Sequence, residues 1–537
     1  MSKSRTNLAS GYVQSALAKY ATLFLAALAF HVVGAWSVPL IDRDEPRFAE
    51  ASREMIERGD LVVPYFNNQL RLDKPPLAYW AQVASYRIFG QNDFAARFPS
   101  AVAAALVALS ILAWGSRLRT ATASQARLGG DRVGWWAAII FTLSLQTFIH
   151  AKASVADMWL VLFVTLGHWG GYELLRDDLA LNGSKHRTPN PPSQGYGAAG
   201  VERSIPKSQH LRWWFVFYVA LALGFLAKGP IGWTPLLTVA VLKLLLRDVE
   251  FSRRFKFLPG ILLTLAIVAL WGIPALIRTH GEFFLVGIGR HVIGRSLGAM
   301  EGHGANSLGA YLLLLPFYFA TVFVSFFPWS IKLPSLTRKL WRTRDKIDIY
   351  LMSGTAVIFI IFSLIKTKLP HYTLPAFPLL ALLLARLCSR QANSVASKLD
   401  GFKRSGFERL AGAVAFAYLA SALAIPPLVA HSFPAYSLFQ TSRDSLRPEM
   451  EFGAVDFQEP SLVWYFRSRT HRFLTPLNKT NAADFMTRTG PRFVILPTQL
   501  VPEIFPALQS KWTTFSTNGL NIAKGKHVDL TLVLKPE

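Results

Sequence analysis

Three carboxylates, Asp42, Asp44 and Glu45, stand together in the stretch "IDRDEPRFAEASREM", directly after a long apolar run. Further along lie groups of both signs. Asp73 and Lys74 sit in "RLDKPPLAYW", Lys152 and Asp157 in "AKASVADMW", and Lys228 in "LAKGPIG". Arg290, His291, Arg295, Glu301 and His303 fall in "GRHVIGRSLGAMEGHG", and Lys366, Lys368, His371 and Tyr372 in "IKTKLPHYTLP". Carboxylates of this kind accept protons or hold hydroxyls, while Lys and Arg neutralise phosphate. Gathered at one level, the two signs suit an anionic ligand that reacts beside a carboxylate.

Each residue also has an ordinary structural role. Asp44 suits a helix N-cap, and Pro46 suits the first turn after it. A lone Lys74, Lys366 or Lys368 can reach toward lipid headgroups with its apolar stem buried. His291 and His303, taken singly, suit hydrogen bonding better than metal ligation. The functional reading rests on the cluster.

What must position these groups is a membrane. The chain has 537 residues, 52% hydrophobic and only 17% charged, and its apolar residues come in runs close to the ~20 needed to cross a hydrocarbon core. The runs predict about eleven spans: 19–40, 96–116, 134–150, 154–174, 212–229, 231–246, 258–278, 309–331, 349–365, 372–388 and 410–430. The first run is read as a span rather than a cleaved signal peptide, because it is long and lacks a small-x-small cleavage site. The net charge of +25 does not indicate nucleic acid. Its lysines and arginines concentrate in alternate loops, among them Arg117, Arg127, Arg203, Arg253, Arg338, Lys339 and Lys403, which are the cytoplasmic loops by the positive-inside rule. The N-terminus is then cytoplasmic. The loop 41–95, the turns near 151, 229 and 368, the loop 279–308 and everything after 431 are outside. Ionisable groups that close to a bilayer are functional candidates by default.

In the first outer loop, 46–58 and 75–90 have apolar stripes, prolines at their starts and Gly59 and Gly90 at their ends, which predicts interfacial helices. After 431, "SLVWYF", "PRFVIL" and "VDLTLVLK" read as strands of a small α/β domain of about 100 residues. The division expected is 1–430 for the membrane domain and 431–537 for the outer domain. The single Cys388 excludes an internal disulfide and a cysteine-based zinc site. No P-loop is present, and "GIGRHVIG" lacks the dinucleotide fingerprint. "DRD" at 42–44 is a D-x-D triplet too short to carry an argument alone. With the reactive groups outside, a lipid-borne donor fits better than a soluble nucleotide.

The stretches "RDEPRFAEASREMIERGDLVVPYFNNQLRLDKPPLAYW", "FAARFPSA", "GFLAKGPIG", "GRHVIGR" and "FSLIKTKLPHYTLPAFPLLALL" resemble, in order, the lipid A aminoarabinose transferases. These are multispanning lipid-donor (GT-C) glycosyltransferases, with protein O-mannosyltransferases as more distant relatives. The resemblance implies an α-helical polytopic membrane protein with about 11–13 spans and a small extracytoplasmic α/β domain. It implies a bacterial inner-membrane transferase that moves a sugar from a polyprenyl-phosphate donor, such as an undecaprenyl one, to a lipid A-like glycolipid, polysaccharide or protein acceptor, with inversion. It places Asp44, Glu45 and Asp157 in catalysis, and Lys74 and Arg295 at the donor phosphate with Lys366 and Lys368 assisting. Tyr79, His371 and Tyr372 would line the substrate, and Asp73 with His291 would form a possible divalent-metal pair. No other cofactor is expected. The loop "EGHGANSLGAY" departs from the aminoarabinose transferases, which leaves sugar and acceptor open. A transporter or flippase for a lipid-linked sugar is the alternative. It would place polar groups near the midplane on repeated halves, and no internal repeat is visible here.

Overall fold

The computed structural model describes residues 2–118, 126–180, 207–246, 251–294, 307–340, 342, 345–394 and 400–537. Its helices are α1 (Ser2–Val32), α2 (Asp44–Arg58), α3 (Leu77–Phe89), α4 (Asp93–Gly115), α5 (Ala126–Thr142), α6 (Leu145–Ala151), α7 (Asp157–Ala180), α8 (Lys207–Lys228), α9 (Thr234–Leu245), α10 (Phe251–Phe255) and α11 (Phe257–Arg278). A π-helical stretch covers Phe284–Gly294. Then follow α12 (Leu308–Leu314), α13 (Phe317–Ser325), α14 (Leu333–Leu340), α15 (Lys346–Leu364), α16 (Phe377–Ser394), α17 (Asp400–Val429), α18 (Pro434–Ser442), α19 (Pro460–Thr470), α20 (Ala482–Thr487) and α21 (Val501–Ile504).

Every expected apolar segment contains helix. Among the described residues, six helices are long and apolar enough to cross a membrane, or eight if the bent pairs α5–α6 and α12–α13 each form one span. The expected figure was higher because it also counted shorter or more charged segments. The runs Leu17–Val32 and Pro230–Leu245 are short apolar helices, and α7 ends in Glu173, Arg176, Asp177 and Asp178.

One compact unit comprises Met1–Ala27, Ala103–Phe148 and Asp157–Gly412. Small residues let its helices approach closely, as in other membrane bundles. A Cβ on Gly171 of α7 would meet the Tyr350 hydroxyl at 2.8 Å. That hydroxyl donates to the His168 carbonyl at 2.6 Å. Helix α15 rises about 28 Å over its length, enough to cross a hydrocarbon core. Its two ends differ in chemistry. At the N-terminal end Asp345 caps the helix by accepting from Ile347 N at 2.8 Å. Arg386 bridges Asp345 at 3.0 Å and Asp348 at 2.8 Å. The candidate residues Lys366 to Tyr372 follow the opposite end.

The second unit comprises Leu28–Val102, Ile149–Ala156 and Ala413–Glu537. The loop 41–95 thus folds with the C-terminal segment, an association across some 400 residues of chain that no local pattern reveals. The segment carries a five-stranded sheet of β3 (Glu451–Val455), β4 (Leu474–Leu477), β5 (Arg492–Pro497), β6 (Thr513–Asn521) and β7 (Lys526–Lys535). The strand order is β4-β3-β5-β7-β6, with β3 parallel to β4 and β5, and β7 antiparallel to β5 and β6. The loop 41–95 adds a hairpin of β1 (Tyr65–Phe66) and β2 (Gln69–Leu70). Its turn residues Asn67 and Asn68 have φ of 51° and 62°, as a tight hairpin requires.

Two expectations fail here. "SLVWYF" lies in helix α19, not a strand. Pro460 starts the helix, and Leu462 through Phe466 are all buried, so no polar face remains to show a period. Helix α2 does not present a solvated polar face as an interfacial helix would. Glu50, Arg53 and Glu54 are buried because α2 packs on α19. There Arg467 pairs with Glu50 and Glu57, and Arg53 donates to the Trp464 carbonyl at 3.0 Å. Gly59 ends α2 in the left-handed region at φ 63°, its N–H on the Ile56 carbonyl, as the sequence suggested.

Candidate active site

The chain enters α2 through its three carboxylates, and each does something different. Asp42 accepts from Ser461 N at 2.9 Å and Ser461 Oγ at 2.5 Å, tying the loop to the start of α19. Burial pushes its carboxyl up to about 7 even though those hydrogen bonds favour the ion. Glu45 is 5% exposed. It accepts from Arg97 Nε at 2.8 Å and Arg97 Nη2 at 2.6 Å, from Ile41 N at 2.8 Å and from Ser154 N at 2.6 Å. Its acceptor capacity is filled, so the catalytic role expected for Glu45 is corrected to a structural one.

Asp44 alone is exposed. It is the first residue of α2, and the cap position belongs to Arg43, with no side-chain capping bond. Asp44 therefore does not cap the helix. Among the described residues its carboxylate makes no hydrogen bond or ion pair, and it lies in the field of Arg71.

Arg71 organises the residues around it. Its Nε donates to the Tyr79 hydroxyl at 2.9 Å, and its guanidinium pairs with Asp73 at 3.4 Å. Burial opposes the charge on Arg71, but Tyr79, Asp73 and Asp44 together outweigh it. Tyr79 is 0% exposed, and burial pushes its phenol up. The substrate-lining role expected for Tyr79 is therefore corrected: it holds Arg71 and has no surface to offer a substrate. Lys74 is half-buried, with Nζ at 3.2 Å from the Asp73 carbonyl. Asp73 has a guanidinium partner, which already neutralises the carboxylate expected to take a metal. The side chain of its expected partner, His291, lies outside the described residues, as do Arg295, Glu301 and His303.

In the helical bundle Asp157 opens α7 and Lys228 closes α8. Lys228 Nζ reaches Asp157 Oδ1 at 2.6 Å, and His371 Nε2 lies 3.9 Å from the same oxygen. Each charge complements the dipole of its own helix. Lys228 also sits 5.6 Å from the centre of the Tyr372 ring, so Asp157, His371 and Tyr372 gather around one ammonium. The sequence marks Lys228 only as one of the polar cluster, and Arg71 not at all. In "RLDKPP", the arginine two places before the acidic residue was the available signal.

The two lysines of "IKTK" part company. Lys368 is 6% exposed. Its ammonium donates to the carbonyls of Phe362 at 3.0 Å, Ser363 at 2.5 Å and Ile365 at 2.6 Å. Three donors are spent on three carbonyls at the end of α15, and burial pushes the amine down. The phosphate-binding role expected for Lys368 is corrected to that of a helix-end cap. Lys152 does the same at the end of α1, on the carbonyls of Phe30, His31 and Val33. Lys366 is half-buried and makes no hydrogen bond or ion pair among the described residues.

No protein-family profile matches the chain. An undecaprenyl phosphate-aminoarabinose arabinosyl transferase of Edwardsiella ictaluri is 26% identical over 394 residues, 72% of this chain and 62% of that protein. A second such transferase, of Sodalis glossinidius, is 28% identical over 64% of this chain and 54% of its own length. The chain thus spans under two thirds of the aminoarabinose transferases it matches. An uncharacterized protein of Aquifex aeolicus is 27% identical over 67% of this chain and 71% of its length. The crystal structure of ArnT from Cupriavidus metallidurans, bound to undecaprenyl phosphate, superposes with a TM-score of 0.71 at 18% identity, covering 96% of this chain and 98% of that one. The chain has that fold, a polytopic helical membrane protein of the GT-C type with a small α/β domain.

Proposed function

We propose that this chain is an integral membrane glycosyltransferase that moves a sugar from a polyprenyl-phosphate donor, undecaprenyl phosphate-linked, to a lipid A-like acceptor. The observation that carries the reading is its sequence similarity to the arabinosyl transferases over 72% of its length. The ArnT fold supports it.

In the proposed reaction an acceptor oxygen attacks the anomeric carbon as the bond from that carbon to the phosphate oxygen breaks, inverting the centre. The departing polyprenyl phosphate gains negative charge and needs cations more than a proton. Lys74, Arg295 and Lys366 supply them, while Lys368 keeps the end of α15 in place. For a hydroxyl acceptor Asp44 takes the proton. For a phosphate acceptor, already ionised, Asp44 orients the acceptor or the sugar. Asp157, oriented by Lys228, has a positioning role beside His371 and Tyr372. The Arg71–Asp73 pair argues against a divalent ion at Asp73, and no step depends on one.

The transferase works at the outer face of the bacterial inner membrane, with the N-terminus cytoplasmic and the C-terminal domain periplasmic. The distribution of lysine and arginine supports that orientation.

The test is to incubate purified protein with undecaprenyl phosphate-linked aminosugar and a lipid A precursor, and to read the glycolipid by mass spectrometry. Mass added to the acceptor by one sugar is expected. Donor and acceptor both recovered unchanged, from protein that remains folded, would overturn the reading.

A further inference from the structure

The unit formed by the loop 41–95 and the C-terminal segment contains a polar cleft of about 410 Å3. It lies where β3 and β4 end: Leu477 is the last residue of β4, and Asp456, at φ 60°, turns the chain out of β3. These strands are parallel, so their carboxyl ends share one edge of the sheet. The chain leaves β3 toward β4 on one side and then crosses to β5 on the other.

Arg43, Arg47 and Lys524 converge on the cleft from the loop 41–95 and from the turn between β6 and β7. Glu459 anchors two of them. It accepts from Arg43 at 3.3 Å and from Asn521 at 3.0 Å, and lies 4.0 Å from Lys524. Arg47 makes no hydrogen bond or ion pair among the described residues. Against Arg43, Arg47 and Lys524 the lining sets two carboxylates, Glu459 and Asp456, which leaves an excess of one positive charge. The volume exceeds that of a lone phosphate and is in the range of small-ligand sites.

We propose that this cleft binds the phosphorylated sugar headgroup of the acceptor. The proposal rests on the transferase reading, because Arg43 and Arg47 flank Asp44 on the chain and Arg47 lies one helical turn along from it. Guanidinium forks recognise phosphate by paired hydrogen bonds, and the sugar's hydroxyls would meet Gln458 and Asp456.

The full-length protein in detergent micelles is titrated with a diphosphorylated glucosamine-disaccharide lipid, with its dephosphorylated counterpart, and separately with undecaprenyl phosphate. The proteins are wild type, Lys524→Glu, Arg47→Gln and the charge control Lys479→Glu, whose lysine pairs with Glu503 at 3.0 Å outside the cleft. The phosphorylated disaccharide lipid should bind about tenfold more weakly to Lys524→Glu and Arg47→Gln, as expected for loss of one charge-assisted contact. Its affinity for Lys479→Glu should not change, nor should any variant's affinity for undecaprenyl phosphate. Wild-type affinity for the disaccharide lipid in Lys524→Glu, with its thermal unfolding unchanged, overturns the proposal. A loss confined to undecaprenyl phosphate also overturns it, assigning the cleft to the donor. Binding needs no turnover, so the two readings separate. A protein that transfers no sugar yet shows this pattern keeps the cleft and loses the transferase. One that transfers sugar with indifferent variants does the reverse.

Discussion

Glu45 and Arg97 are joined by two hydrogen bonds, Nε to Oε1 at 2.8 Å and Nη2 to Oε2 at 2.6 Å, with both side chains almost fully buried. Arg97 also donates to the carbonyls of Ala35, Val38 and Pro39, so the pair fastens the segment leading from α1 to α2. Glu45→Ala would leave a buried guanidinium without its counter-charge, a loss of about 3–5 kcal/mol. The expected outcome is a lower unfolding temperature and a lower yield of folded protein. A Glu45→Ala protein of wild-type stability that has lost only kcat would restore Glu45 to the reaction.

Lys366 and Lys368 should separate in the same way. Lys366→Ala is expected to raise the KM for the lipid donor about tenfold, the weight of one charge-assisted contact, with unfolding unchanged. Lys368→Met strips three carbonyls of their partner and should lower the unfolding temperature. Donor titrations and thermal melts of both variants decide; the opposite assignment of effects would contradict the geometry.

Asp42 gives the unit that contains the sheet a pH dependence. Its folded carboxyl titrates near 7, above its ordinary value of 3.8, because burial disfavours the ion. A carboxyl raised by folding adds stability that is complete below the unfolded pKa and is lost as pH rises through the folded one. The unfolding temperature should therefore fall between about pH 4 and pH 7 through this group, and Asp42→Asn should flatten that part of the profile. Identical profiles for variant and wild type would contradict the assignment.

Tyr79→Phe removes the acceptor for Arg71 Nε from a site with no exposure. It should cost about 1–3 kcal/mol in stability while the KM values for donor and acceptor hold. A large change in either KM at unchanged stability would return Tyr79 to the substrate surface.

Much of this architecture is legible in the sequence. Apolar runs predict helices, and "RDEPRFAE" and "KLPHYTLPAFP" carry the resemblance to the transferases. Long-range partners are not legible. Glu45 looks as reactive as Asp44 until Arg97 is found 52 residues away. Lys368 looks like a phosphate ligand until the end of α15 supplies it with carbonyls. Helix α19 reads as a strand because burial on all sides removes its period, and α2 reads as interfacial because its acidic face is covered by Arg467, some 410 residues distant. Glu45, α19 and α2 are misread because tertiary contacts override a local pattern, whereas Lys368 is misread because a local helix-end cap is not visible as a pattern of residue types.

The most direct measurement is sugar transfer by Asp44→Asn. The carboxylate is exposed and makes no hydrogen bond or ion pair among the described residues, so the substitution should leave unfolding unchanged. Loss of a general base or an orienting carboxylate should lower kcat by roughly 10²–10⁴-fold, with donor binding retained. Asp44→Asn enzyme that is folded and transfers sugar at the wild-type rate would contradict the central claim.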